Sequence, residues 1–208
     1  MFVHLRRRTI REMLGVERTH NRCRTAKTMT RTKIFIPYRR ITEELAPLVR
    51  GRVLHITCAR NVSSILKAGG ILGNMDGRFT TSFGSAINGF FRRRNMVSVF
   101  DYRSVSDARF EAAWGDCGPH IALRTCRYSI ALLFVAPAFH DALVSWTTWK
   151  QEEAWEEMIV PDVEAGYPAV LPIAAIEDIL EVRTRYYPTA LERAIDAARK
   201  RNHRDHYA

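Results

Sequence analysis

The chain has 208 residues, 47% of them hydrophobic, with ten Phe, seven Tyr, four Trp and a formal net charge of +10. That length suits one domain, or one domain with a tail, and the apolar share is enough for a real core, which excludes a disordered chain. No apolar run nears the ~20 residues that a membrane-spanning helix requires, and the longest one, from Ile130, is interrupted by Pro137, His140 and Asp141.

The charge is not spread evenly. Residues 1–40 hold 12 Lys+Arg against Glu12 and Glu17, a balance of +10, while residues 41–208 hold 20 of each sign and balance to zero. Residues 1–33 therefore read as a basic arm, or as an over-extended start with Met13 or Met29 the true first residue, and residues 34–208 as a single neutral domain. An organelle transit peptide shares the composition of the arm. In each case its charge would attract polyanions at low salt.

Taken in order, "KIFIPYRR" is a short extended entry to the body. "ITEELAPLV" is a helix, with Thr42 as N-cap and Glu43 and Glu44 in its first turn. "RVLHIT" is a strand, followed by a helix in "NVSSILKAGG" whose Val62, Ile65 and Leu66 share one face. Asn61 is placed to cap that helix, and Gly69 and Gly70 to stop it. "GRFTTSFGSA", "NMVSVFDYR", "HIALRTC", "IALLFVAP" and "WEEMIVP" read as strands. "AIEDILEVR" continues the sheet or opens as a helical turn. "TALERAIDAARKR" is a helix with Thr189 and Glu192 as a capping box and Leu191, Ile195 and Ala198 as its apolar stripe. The class is α+β, with more strand than helix.

Cys23, Cys58, Cys117 and Cys126 form no CxxC pair. Reduced thiols and a cytoplasmic protein are the expectation. Cys117, His120, Cys126 and His140 are near in sequence but match no common zinc spacing, so loop and core roles are favoured over metal.

One residue of the "RVLHIT" strand is out of place. His55 stands where a buried strand prefers Val or Ile, and Thr57, two residues on, shares its face. "LHIT", then a short helix and "AGGIL", resembles the opening of an ADP-ribosyltransferase fold, most closely that of the DarT-type nucleic-acid ADP-ribosyltransferases. "WEEMIV" followed by "LPIAAIEDILEV" resembles the family's catalytic-glutamate region, and together the two cover about residues 50–182. The resemblance implies a split β-sheet core with a few flanking helices and NAD as substrate. It places His55 and Thr57 at the cofactor and Glu157 at the catalytic acid. Glu156 stays open as the match one register away, and Glu153 through "QEE". It also implies a toxin or defence role, with an antitoxin or antidote protein as a partner.

The chemistry asks for such residues. Breaking the nicotinamide–ribose bond leaves an oxocarbenium-like sugar that a fixed carboxylate stabilises, and an imidazole nitrogen can hydrogen-bond a ribose hydroxyl. Phe83 or Tyr102 could stack on nicotinamide, with core packing the competing fate. Arg78, Arg92, Arg93 and Arg94 could hold phosphates. Phe90–Phe91 beside three arginines resembles a stacking-plus-charge nucleic-acid contact, and nucleic acid is slightly favoured over protein as acceptor. Two other functions compete. One is a non-enzymatic nucleic-acid-binding protein in which His55 and Glu157 are structural. The other is an NAD-dependent RNA 2′-phosphotransferase, for which Arg52, Arg60 and Arg78 must converge. No GxGxxG, P-loop, HExxH or GxSxG is present.

Overall fold

The computed structural model describes residues 29–79, 81–83, 89–145, 148, 160 and 162–185. The basic arm up to residue 28, the acidic stretch with Glu153, Glu156 and Glu157, and the C-terminal helix with its Thr189–Glu192 capping box lie outside those residues.

The architecture is mixed α+β. A six-stranded sheet is built from β1 (Thr30–Phe35), β8 (Ile176–Arg183), β5 (Ser129–Val135), β2 (Val53–Cys58), β4 (Met96–Asp101) and β6 (Glu164–Pro168), in that spatial order. β1 and β8 run parallel and the other pairs antiparallel. β3 (Gly70–Leu72) and β7 (Val170–Pro172) form a separate ladder. β5 carries the longest buried run, Ile130 to Val135, because it lies mid-sheet with both faces covered.

Alternation along β2 divides the core. Leu54, Ile56 and Cys58 face a cluster completed by α1 (Ile41–Val49), α4 (Asp107–Cys117) and α5 (Pro119–Thr125), with Leu45, Phe110, Trp114 and Leu123 at its centre. Val53 faces the opposite cluster with Val62 of α2 (Val62–Ala68), Ile71 and Leu171.

The strands expected at "NMVSVFDYR" and "IALLFVAP" form as β4 and β5, and of the two alternatives for "AIEDILEVR" the structure takes the strand, as β8. The double glycine does two separate jobs. Gly69 ends α2 at φ +74°, and a Cβ at Gly70 would stand 2.7 Å from the Leu171 carbonyl across the β3–β7 ladder.

Several expectations are corrected. "HIALRTC" is the helix α5, because Pro119, Ala122 and Leu123 are buried at i, i+3 and i+4 spacing and Pro119 starts it. The described part of "GRFTTSFGSA" is loop rather than strand. There the Asn74 side chain accepts from the Phe79 N–H and donates to its carbonyl, at 3.0 and 2.8 Å. Thr42 caps nothing: α1 follows directly from a 3₁₀ turn at Tyr38–Arg40. Ser106 is a true cap, its hydroxyl taking the Arg109 N–H of α4.

The thiols are corrected too. Cys58 at the end of β2 and Cys126 just past α5 are joined in a disulfide, their Cα atoms 4.9 Å apart across a sequence separation of 68. Cys117 is free. No group of three metal-ligating side chains occurs among the described residues, and His140 is held instead by Arg103 and the Val135 carbonyl. None of the described helices is long and apolar enough to cross a membrane.

Candidate functional site

β2 and β4 pair only at Val53↔Asp101 and Leu54↔Phe100. Beyond Leu54 each strand follows a different neighbour, β2 staying with β5 to Cys58 and β4 with β6 to Met96. The sheet forks there. A cavity of about 790 Å³ lies against the fork, within the ~300–1,000 Å³ usual for small-molecule and cofactor sites.

His55 is the first residue past the fork. Its Nδ1 lies 2.8 Å from the Ser98 carbonyl on β4. A carbonyl only accepts, so Nδ1 carries the hydrogen and Nε2 is left as an acceptor. The side chain thus makes the cross-strand bond that the backbone ladder has ceased to make. Burial pulls the His55 pKa below its ordinary 6.5, only partly opposed by the Ser98 carbonyl, so the ring is held neutral. This explains a histidine where a strand prefers Val: it bridges a fork, and its ring lines the cavity.

Thr57 lines the same wall and is buried. Its hydroxyl oxygen accepts from Asn61 Nδ2 at 3.0 Å, and a hydroxyl that accepts one bond keeps its O–H as a donor. Asn61, expected as a helix cap, makes no cap hydrogen bond and orients Thr57 instead.

Arg60, Arg78 and Arg92 add positive charge to the lining. Arg78 is exposed, pairs with Asp76 at 3.3 Å and lies over the Phe79 ring. Arg92 packs against Gly77, where a Cβ would meet its guanidinium, so the glycine makes room for the arginine. Phe83 also lines the cavity, tilted against Phe100 with ring centroids 5.5 Å apart.

Of the expected site residues, His55, Thr57, Arg78 and Phe83 come together. Tyr102 does not. It is buried between Phe100 and Phe110, and its hydroxyl has no hydrogen-bond partner among the described residues. Phe90 and Phe91 are the buried face of α3 (Phe90–Arg93) and are not exposed stacking platforms. Arg52 lies elsewhere: it pairs with Glu177 and Asp178 at 2.8 and 3.2 Å over the Phe134 ring. The three-arginine convergence required of a 2′-phosphotransferase is therefore not formed.

Two further lining groups were not expected at this site: Glu164, which the sequence reading missed, and Cys117, which it weighed only as a metal ligand. Glu164, on β6, accepts from the Ser98 hydroxyl at 2.6 Å and from the Val160 N–H at 2.9 Å. Burial pushes its pKa above 4.5, and those two hydrogen bonds oppose the rise without cancelling it. Cys117 is pushed up to about 11, by burial first and then by the negative charges of Glu164 and Asp116. No local signal marked Glu164, since "DVEAGYP" reads as an ordinary strand start. Only the β4–β6 register brings it to the site.

Comparison with protein-family models, with curated proteins and with solved structures gives no match.

Proposed function

We propose that the chain is an NAD-consuming ADP-ribosyltransferase and that the cavity at the fork is its NAD site. The observation that carries this reading is the pairing of His55 and Thr57, side by side on the cavity wall, one offering an acceptor and the other a donor. That is the polarity needed to grip vicinal ribose hydroxyls. The arginines supply charge for a diphosphate, and Phe83 and Phe100 supply aromatic wall for a base. The fork also suits the split sheet that the sequence resemblance implies.

In the reaction, the nicotinamide–ribose bond breaks with its electron pair leaving on nicotinamide. The acceptor adds to the sugar carbon, and its proton passes to the carboxylate of Glu157, which helps activate it, and from there to solvent. The neutral His55 holds the ribose without adding positive charge beside a developing cation, which a protonated imidazole would oppose. Glu157 is the acid that the resemblance assigns to stabilise that cation. A nucleobase is the favoured acceptor, through the basic arm and the arginine rim.

The test is nicotinamide release from NAD by the purified chain, with single-stranded DNA, RNA or cell extract added in turn. His55→Ala and Glu157→Gln are run beside it. Release that depends on one acceptor class and falls at least about a hundredfold in Glu157→Gln is expected. No release with any acceptor, together with no NAD binding by calorimetry, rejects the enzyme. Salt-sensitive polyanion binding that is lost with residues 1–28 would then favour a binding protein.

A further inference from the structure

A buried carboxyl normally has a cation beside it. Among the described residues none forms an ion pair with Glu164. It takes two hydrogen bonds instead, one on each oxygen, from different parts of the chain. Ser98 stands at the centre of this arrangement: its hydroxyl goes to Glu164 and its carbonyl takes the His55 Nδ1–H.

The register explains how the contact is reached. Ser98 lies opposite Gly166, and Glu164 opposite Phe100, so Ser98 and Glu164 share a face as diagonal neighbours. Gly166 has no side chain to intervene, and the Phe91 ring occupies the space a Cβ would need. The carboxyl then crosses to β4.

We propose that Glu164 is a positioning residue of this site: by tying Ser98 to the Val160 backbone it fixes the β4 side of the fork and, through the Ser98 carbonyl, the tautomer and orientation of His55. The consequence for NAD rests on the functional reading above, whereas the consequence for His55 does not. The carboxylate is suited to the task because both neighbours donate to it. A glutamine offers one oxygen, which the Val160 N–H must take. Its amide can still donate to Ser98 because a hydroxyl can turn and accept. Glu164→Gln therefore keeps the tie in altered form, and Glu164→Ala removes it.

The experiment is ¹⁵N NMR of the His55 ring in the full chain without NAD, together with kcat and KM for NAD, for wild type, Glu164→Ala, Glu164→Gln and Ser98→Ala. Wild type should show the Nδ1–H tautomer. Glu164→Ala and Ser98→Ala should shift His55 toward mixed tautomers and raise KM about tenfold, as expected when a misoriented His55 loses one hydrogen bond to the ribose, with rescue in Glu164→Gln. Unchanged His55 signals in Ser98→Ala and Glu164→Ala overturn the proposal. So does equal impairment of Glu164→Gln and Glu164→Ala. If Glu164→Ala does not fold, Ser98→Ala against Glu164→Gln decides by the same signals. A wild type inert toward NAD rejects the transferase reading while the ring spectra still judge the role of Glu164.

Discussion

At the residue scale, burial moves two titratable groups at the fork in opposite senses. The Glu164 pKa is raised, so its folded state holds a proton more tightly than its unfolded state. Its contribution is fully present below pH 4.5 and is lost as pH rises through the raised value. Glu164→Gln removes that loss. Urea unfolding should therefore find the variant gaining on wild type as pH rises above 4.5. The His55 pKa is lowered, so its contribution is present above pH 6.5 and is lost as pH falls through the lowered value. Cys117, with its pKa pushed up to about 11, stays a thiol at neutral pH. Iodoacetamide should label it at pH 7.5 more than tenfold slower than a free cysteine of ordinary pKa, read by mass spectrometry. His55 was legible in the sequence because a polar residue broke an apolar run, but Glu164 was not. A strand acid reads as solvent-facing until the register shows what stands diagonal to it.

At the element scale, β1 joins the end of the basic stretch to the sheet. Arg31 and Lys33 both approach the buried Glu181 of β8. A chain beginning at Met29 keeps this strand and should unfold like the full chain. One beginning at Ile34 strands a buried carboxylate and loses an edge. Its stability should fall by about 2 kcal/mol, below the ~3–5 for a fully buried pair because Arg31 is 38% exposed. Urea titration of the two truncations checks this. The central strands were readable because alternation or an unbroken apolar run marks them. "HIALRTC" misled because a seven-residue helix with Pro119, Ala122 and Leu123 inside offers only one turn of pattern, too little to separate from a buried strand. "RFTTSFGSA" misled because β-prone residues were overruled by the Asn74 clasp, a side-chain contact that propensity does not register.

At the scale of the whole molecule, the Cys58–Cys126 bridge ties the end of the His55 strand to α5. A loop of that length, 68 residues, restrains the unfolded chain by about 4 kcal/mol. Replacing both cysteines with alanine should lower the unfolding free energy by that order, measured by urea titration. Composition could not show the bridge, since residues so far apart in sequence meet only when α5 packs on β2. The same long reach governs β1. Thr30 pairs with Asp178 and Phe35 with Arg183, almost the whole described chain apart. Among the described strands, the first to emerge during synthesis must wait for the last before it has a neighbour. Long-range parallel pairing of this kind is slow, so nascent chains should spend their synthesis with β1 unpaired and the β8 edge unformed. Assembly of the described sheet then ends with its most N-terminal strand, and refolding from urea should show β1 docking as its final phase.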